Sequence, residues 1–412
     1  MSTKTALVLA GGGVTGAVYE LGALQALEEL LVRRTANDFD IYVGTSAGAI
    51  VGSLLANGIP AGTLCQILAD QHPAVRGLRH GDVFQWNGRG LARWGLRLPG
   101  QLARAGASSL RQRSLAPLLL ALSDAAPPGL YDGTALARYL SDVYTGLGGT
   151  DRFEGLARDL FVVATRLDTG ERAVFGREGA PAEAAISQAV AASTALPFLY
   201  APVQLGEAWY VDGGLRGNAS VDVAIEQGAR LVICINPLVP YAPETSDDDP
   251  TAGAGWRAMR IASHAGLHYH LKHLRRRHPD VDILLIEPRA SDAALLSAPL
   301  MDFGARQAML QHGADAVRQH LADNYAQFAA VLSRHGLRLR PPAGQDYAER
   351  ACAASPGPTT DRAAAPEALA WPSHARPAPA GAHTGAQPRP LPGWEPAFET
   401  APASAKRETR RP

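Results

Sequence analysis

The sequence predicts an α/β protein in which a parallel or mixed β-sheet is covered by helices and the reactive groups lie above the carboxyl ends of the strands. Three observations carry the prediction. The apolar run 5–10 leads through the glycine loop Gly11-Gly12-Gly13-Val14-Thr15-Gly16 into a helix on which Val18, Leu21, Leu24, Leu27 and Leu31 recur at helical spacing. Residues 39–57 repeat that strand, turn and helix layout around Ser46. Strand-like runs at 160–165, 231–235 and 282–286 then alternate with helical stretches.

After the second unit, residues 62–130 change character. Arginines, tryptophans and glycines accumulate with no obvious strand, the composition of an inserted helical or lid segment. Core-type segments resume with a helix near 133–144, the strand 160–165 and a hairpin through Asp168-Thr169-Gly170. A small-residue helix at 182–193 precedes short strands near 203–205 and 208–211, which run into Asp212-Gly213-Gly214. A helix at 219–227, the strands 231–235 and 282–286, and helices to about 335 complete a domain over residues 1–340. The remainder, 341–412, holds 14 of the 30 prolines and is rich in Ala and Thr, so it buries too little apolar surface to fold and is expected to be disordered.

Composition narrows the function classes. With 412 residues and 46% hydrophobic content the chain can bury a sizeable core. Its 39 basic and 39 acidic residues cancel, so no overall field draws in nucleic acid, and none is expected as a partner. Cys65, Cys234 and Cys352 are odd in number and lack metal-ligand spacing. A reducing, cytoplasmic setting with no metal and no cofactor is the expectation. The apolar run 5–10 passes straight into glycines and an amphipathic helix, which reads as a core strand rather than a leader. No later stretch approaches the roughly 20 apolar residues of a membrane span, so the protein is expected to be soluble or peripherally bound.

The chemistry centres on Gly44-Thr45-Ser46-Ala47-Gly48, which places a serine at the apex between a strand and a helix. A hydroxyl is a useful nucleophile only when it projects clear of the backbone toward a base and oxyanion donors, and a sharp turn flanked by Gly44 and Gly48 does this. Gly11, Gly13 and Gly16 also fit a dinucleotide-binding fingerprint. That reading requires an acid at the carboxyl end of the second strand, where this chain has Gly44-Thr45-Ser46, while Asp38 and Asp40 lie at its other end. No Lys-Ser or Lys-Thr follows the glycines, which argues against a P-loop. Free N–H groups at a helix start can equally serve an oxyanion, and the serine elbow favours that use. Val211-Asp212-Gly213-Gly214 ends a short strand in a turn and aims a carboxylate at the same edge.

Together, the triple-glycine loop, the serine elbow some 30 residues on and the distant Asp-Gly-Gly resemble the patatin-like phospholipase family. Ala164-Thr165-Arg166-Leu167-Asp168-Thr169-Gly170 and Ala192-Ser193-Thr194-Ala195-Leu196-Pro197 add to the likeness. The resemblance implies a three-layer sandwich with a mixed, mostly parallel sheet, and a lipid acyl hydrolase acting through a Ser46–Asp212 dyad. It also implies an oxyanion hole in the loop Gly11, Gly12 and Gly13, with Gly213 and Gly214 forming the acid turn. Family members commonly carry Arg or Lys where this chain has Thr15, which weakens the expectation of a phospholipid head group more than that of ester hydrolysis. Two rivals remain: an α/β-hydrolase triad drawing on His264 or His268, and a lapsed lipid-surface scaffold of the same fold. Against the triad, His264, His268, His270, His273 and His278 read as one solvated face of a basic helix with Lys272 and Arg275 to Arg277.

A lipid enzyme must also reach aggregated substrate. Residues 76–113 hold eight arginines (Arg76, Arg79, Arg89, Arg93, Arg97, Arg104, Arg111 and Arg113) against the single acid Asp82. Leu91, Trp94 and Leu98 share one helical face, opposite Arg89, Arg93 and Arg97, until Pro99-Gly100 ends the run. This is the pattern of a short helix lying on an anionic membrane, although the same apolar residues could instead pack on the domain.

Overall fold

The computed structural model describes residues 3–112, 129–181, 183–241, 254–296, 301–302, 304 and 306–341. Beyond Pro341, the tail expected to be disordered lies outside the described residues. So does Arg113.

Strand β1 (Lys4–Leu9) is buried from Ala6 onward, an uninterrupted apolar run of the kind that occupies the middle of a parallel sheet. Around it stand β2 (Ile41–Thr45), β5 (Asp159–Arg166), β9 (Ala229–Ile235) and β10 (Asp282–Ile286), all parallel in the order β10-β9-β1-β2-β5. Three antiparallel strands complete the sheet beyond β5: β6 (Arg172–Phe175), β7 (Val203–Leu205) and β8 (Ala208–Asp212). The expected mixed, mostly parallel sheet is therefore present. The hairpin through Asp168 to Gly170 joins β5 to β6.

Alternation along the strands divides the core. Leu7 and Leu9 point to one face, and Ala6, Val8 and Ala10 to the other. The first face is covered by α1 (Gly13–Leu30), α2 (Ala47–Ala56), α6 (Thr134–Gly146), α7 (Ile186–Ser193) and α11 (Arg306–Asp323). The second is covered by α8 (Val221–Glu226) and α9 (Ala254–Arg277), whose Leu267, Leu271 and Leu274 pack on it. The result is three layers.

Residues 61–112 are mainly helical, as expected, in α3 (Ala61–Leu68), α4 (His80–Val83) and α5 (Gly88–Gln112). Two details differ from the sequence reading. A two-residue strand, β3 (Gln85–Trp86), pairs antiparallel with β4 (Tyr131–Asp132), a register too short for period-two patterning to reveal. Helix α5 also continues through Pro99 rather than ending there. A proline removes one N–H donor and crowds the preceding turn, which kinks a helix as readily as it stops one. Along α5, Leu91, Trp94 and Leu98 are half-buried, while Arg89, Arg93 and Arg97 are exposed.

Helix α9 corrects the histidine reading. Its His264 and His268 turn toward Glu287 and His270 toward Asp222, while Leu267, Leu271 and Leu274 pack on the sheet, so more than one face of the helix is engaged. Two shorter helices, α10 (Ala293–Leu296) and α12 (Tyr325–Arg334), flank α11. Among the described residues, no helix is long and apolar enough to cross a membrane.

Candidate active site

The register of β1 on β2, with Leu9 beside Gly44, sets the two turns that follow these strands next to each other at the carboxyl edge of the sheet. Ser46 is the apex of the second turn, at φ 52° and ψ −119°, a conformation costly for a residue with a side chain. Gly48 makes the turn possible: a Cβ there would stand 2.3 Å from the carbonyl oxygen of Leu9. Its N–H donates to the carbonyl of Ala10 at 3.1 Å, which ties the elbow to the end of β1. Gly44, at the end of β2, is pressed equally hard against Ala49.

The elbow is also held from the far side. The N–H of Ser46 donates to Ser193 Oγ at 2.8 Å, and that hydroxyl donates to the carbonyl of Val163 at 2.6 Å. Ser193, the last residue of α7, thus bridges the Ser46 turn to β5. Its role was not read from the sequence, although it lies in the Ala192 to Pro197 stretch that contributed to the family likeness.

Asp212 arrives by an unusual route. On β5, Ala164 pairs with Ala173 of β6 and with Asp212, while Val163 pairs with Val174 of β6 and with Thr45. Since β6 occupies one edge, β2 and β8 share the other and meet there end to end. The Oγ of Ser46 donates to Asp212 Oδ2 at 2.6 Å. The other carboxylate oxygen accepts the N–H of Gly214 at 2.7 Å, so Gly213-Gly214 turns the chain back onto its own acid. The backbone of Asp212 is fixed by Thr165 Oγ1, which donates to its carbonyl, and by the carbonyl of Ala195, which accepts its N–H. Burial of this carboxylate raises its pKa to about 6, against the opposing pull of the hydrogen bonds from Ser46 and Gly214. Among the described residues no histidine is a hydrogen-bond partner of Ser46 or Asp212, so the geometry does not assemble a histidine triad.

The glycine loop faces this pair. The N–H of Gly11 donates to the carbonyl and to Oδ1 of Asn218, each at 3.1 Å, so it is not free for the role that the resemblance implies. Gly12 and Gly13 remain. Gly13 opens α1, so its N–H has no intrahelical acceptor and sits at the positive end of the helix dipole. Asn218 is itself held by Asn236, whose Oδ1 accepts from Asn218 Nδ2 at 2.8 Å. The sequence does carry a signal for Asn236, a polar residue directly after the buried strand β9 at the edge where the site lies. Asp40, the acid that a dinucleotide site would need near the loop, instead accepts from the N–H of Thr5 at the opposite end of β1.

A cavity of about 900 Å³ joins these groups. Ser46, Asp212 and the glycine loop lie on its wall. One part is lined by apolar side chains, including Leu21, Leu54, Leu64 and Leu140. Another is polar, with Arg172, Asp222 and His270, where Arg172 pairs with Asp222 at 2.6 Å. Burial works to raise the pKa of Asp222, but hydrogen bonds from His270 and Arg172 outweigh it and hold the carboxyl at about 2.

Several known proteins are similar to this chain. An uncharacterized NTE family protein of Mycobacterium tuberculosis is 26% identical over 237 residues, covering 58% of this chain and 31% of the relative. A cGAMP-activated phospholipase of Pseudomonas aeruginosa is 39% identical over 77 residues, 19% of this chain and 23% of that protein. The chain thus spans about a third of the length of the first of these relatives and less of the second. Among solved structures, VipD from Legionella pneumophila aligns with a TM-score of 0.35 at 17% identity, over 78% of this chain and 67% of VipD. ExoU of Pseudomonas aeruginosa, solved in complex with SpcU, aligns with a TM-score of 0.30 at 16% identity, over 78% of this chain and 53% of ExoU. Residues 7–225, more than half of the chain, match the description of the patatin-like phospholipases, and the protein belongs to that family.

Proposed function

We propose that this protein is a serine lipid acyl hydrolase, cleaving a carboxylic ester of a phospholipid, lysophospholipid or simpler lipid through Ser46 and Asp212 alone. The observation that carries the reading is the 2.6 Å hydrogen bond from Ser46 Oγ to a buried carboxylate. A carboxylate is ordinarily a weak acceptor for a serine proton, and burial that raises it to about 6 improves the match. As Ser46 Oγ attacks the ester carbonyl, its proton passes to Asp212 Oδ2. The carbonyl oxygen, now negative, is met by the N–H groups of Gly12 and Gly13, an effect worth about 3 kcal/mol per donor in comparable sites. The alcohol departs with the proton from Asp212, and Ser46 is left acylated. Water then repeats the sequence, giving its proton to Asp212 and releasing the fatty acid. The apolar part of the cavity suits the acyl chain.

Substrate in aggregates is reached through α5, whose exposed Arg89, Arg93 and Arg97 and half-buried Trp94 meet an anionic membrane surface. A peripheral, cytoplasmic setting fits that use.

Fluorophosphonate labelling of the purified protein tests the reading, because it requires an activated serine and no knowledge of the substrate. Wild type should label and Ser46→Ala should not. An unlabelled wild type sinks the hydrolase in favour of a lapsed lipid-surface scaffold. A panel of esters and phospholipids, with Ser46→Ala as control, then identifies the substrate.

A further inference from the structure

We propose that His264, His268 and Glu287 form a binding site for a divalent transition-metal ion of the zinc class, on the flank of the domain and separate from the Ser46–Asp212 pair. Helical spacing of four places His264 and His268 on one face of α9, and Glu287 follows directly after β10. The Nε2 of His264 lies 3.5 Å from Glu287 Oε1, and the Nε2 of His268 lies 3.1 Å from Glu287 Oε2. The three ligand atoms all lie within 4.8 Å of one another. Zinc bonds of about 2.0–2.2 Å at tetrahedral angles set ligand atoms roughly 3.3–3.6 Å apart, and the distances from Glu287 Oε1 to the Nε2 atoms of His264 and His268, 3.5 and 3.4 Å, already suit one ion. Small rotations of the rings close the third. Two imidazoles and one carboxylate are a donor set for zinc, cobalt or nickel rather than for calcium or magnesium, which favour oxygen.

The surroundings resemble those of a built site. The side chains of His264 and Glu287 are each 15% exposed, whereas His268 is 47% exposed and leaves an open side for the ion and for a water as fourth ligand. Glu287 is anchored from behind: its Oε1 accepts from Asn236 Nδ2 at 2.7 Å. Such support of a ligating carboxylate orients it and strengthens the site. Asn236 is in turn the partner of Asn218, which holds the N–H of Gly11. An ion here would pin α9 to the carboxyl edge of β10. The ion would take the Nε2 lone pairs, with each ring proton on Nδ1 in place of the hydrogen bonds to Glu287.

The test uses tag-free, full-length protein freed of metal with a chelator and titrated with Zn²⁺ by calorimetry, then with Co²⁺ by absorption to read the coordination number. Wild type should show one saturable site at micromolar Kd or tighter. His268→Ala and Glu287→Gln should weaken it at least 100-fold, and Asn236→Ala should weaken it 10- to 100-fold. His273→Ala, an exposed change on the same helix, should leave it unchanged. Because His268 is half exposed, His268→Ala should fold normally, and Zn²⁺ should raise the melting temperature of wild type but not of this variant. Absence of a site below about 100 µM in wild type overturns the proposal. So does binding that survives in His268→Ala and Glu287→Gln, or is lost equally in His273→Ala.

Discussion

Thr45 and Asp212 sit opposite consecutive residues of β5, Val163 and Ala164, on the same edge of that strand. The nucleophile turn therefore begins where the acid strand ends, and Ser46 needs no intermediary to reach Asp212. If that contact is the whole of the acid–base apparatus, Ser46→Ala and Asp212→Asn should each lower kcat by several orders of magnitude, whereas His264→Ala and His270→Ala should leave it within a few-fold. Steady-state kinetics on a soluble ester decides this, and a comparable loss in a histidine variant would return the base to that histidine.

Only ionised Asp212 can accept the serine proton. With its pKa raised to about 6, kcat/KM should be level above pH 7 and fall with falling pH, tenfold per pH unit well below 6. A profile that stays level down to pH 4 would show that the carboxylate is not the titrating base.

The same shift bears on stability, in the opposite direction. A folded-state pKa of about 6 against an ordinary 3.8 means that protonated Asp212 favours the folded state. This contribution is full below pH 3.8 and is lost as pH rises through 6. The difference is of order 3 kcal/mol at 1.36 kcal/mol per pKa unit. Asp212→Asn should therefore be more stable than wild type to urea at pH 8, with the gap narrowing toward pH 4. A variant less stable at pH 8 would mean that the ionised carboxylate supports the fold.

Ser193→Ala removes the acceptor of the Ser46 N–H and the donor to Val163. The expected result is a kcat lower by roughly 10- to 100-fold with KM little changed, since misplacing a reacting group by about 1 Å costs rates of this size. The rate of fluorophosphonate labelling should fall in step. Faster unfolding with unchanged labelling would remove the positioning role.

Two glycines of α2 make a matched pair. A Cβ at Gly48 would lie 2.3 Å from the Leu9 carbonyl, while one at Gly52 would meet Leu9 Cδ1 at an ordinary 3.6 Å. Gly48→Ala should cost more than about 3 kcal/mol, and Gly52→Ala should be neutral or stabilising by up to about 1 kcal/mol. Urea denaturation compares them directly.

For α5, charge reversal at Arg93 and Arg97 together with Trp94→Ala should cut binding to anionic liposomes by at least tenfold, since each arginine near such a surface contributes about 1 kcal/mol. Neutral liposomes supply the control. Unchanged sedimentation would place docking elsewhere, as on Arg275 to Arg277.

Much of the sheet was legible because its central strands are buried on both faces and read as unbroken apolar runs, as at 160–165 and 231–235. The elbow and the acid turn were legible because only glycine fits beside the Leu9 carbonyl at Gly48 and beside the Val163 carbonyl at Gly213. The supports were less so. Ser193 and Asn218 act through hydrogen bonds to Ser46 and Gly11, 147 and 207 residues away, and no local pattern announces such pairings. The histidines were read as solvated because helical periodicity reports which residues share a face, not that β10 would deliver Glu287 opposite them. The resemblance gives Gly11, Gly12 and Gly13 alike to an oxyanion hole, since a loop motif does not tell which amide another residue occupies.

The head-to-head meeting of β2 and β8 also orders events during synthesis. Ser46 and Asp212 are 166 residues apart, and closing so long a loop comes late relative to the local helices. A nascent chain that has emerged only to about residue 200 carries the entire serine turn and the glycine loop but no base. On the proposed mechanism such a chain would be inert toward lipid until β8 pairs with β5, and hydrolysis would begin only when the sheet has closed.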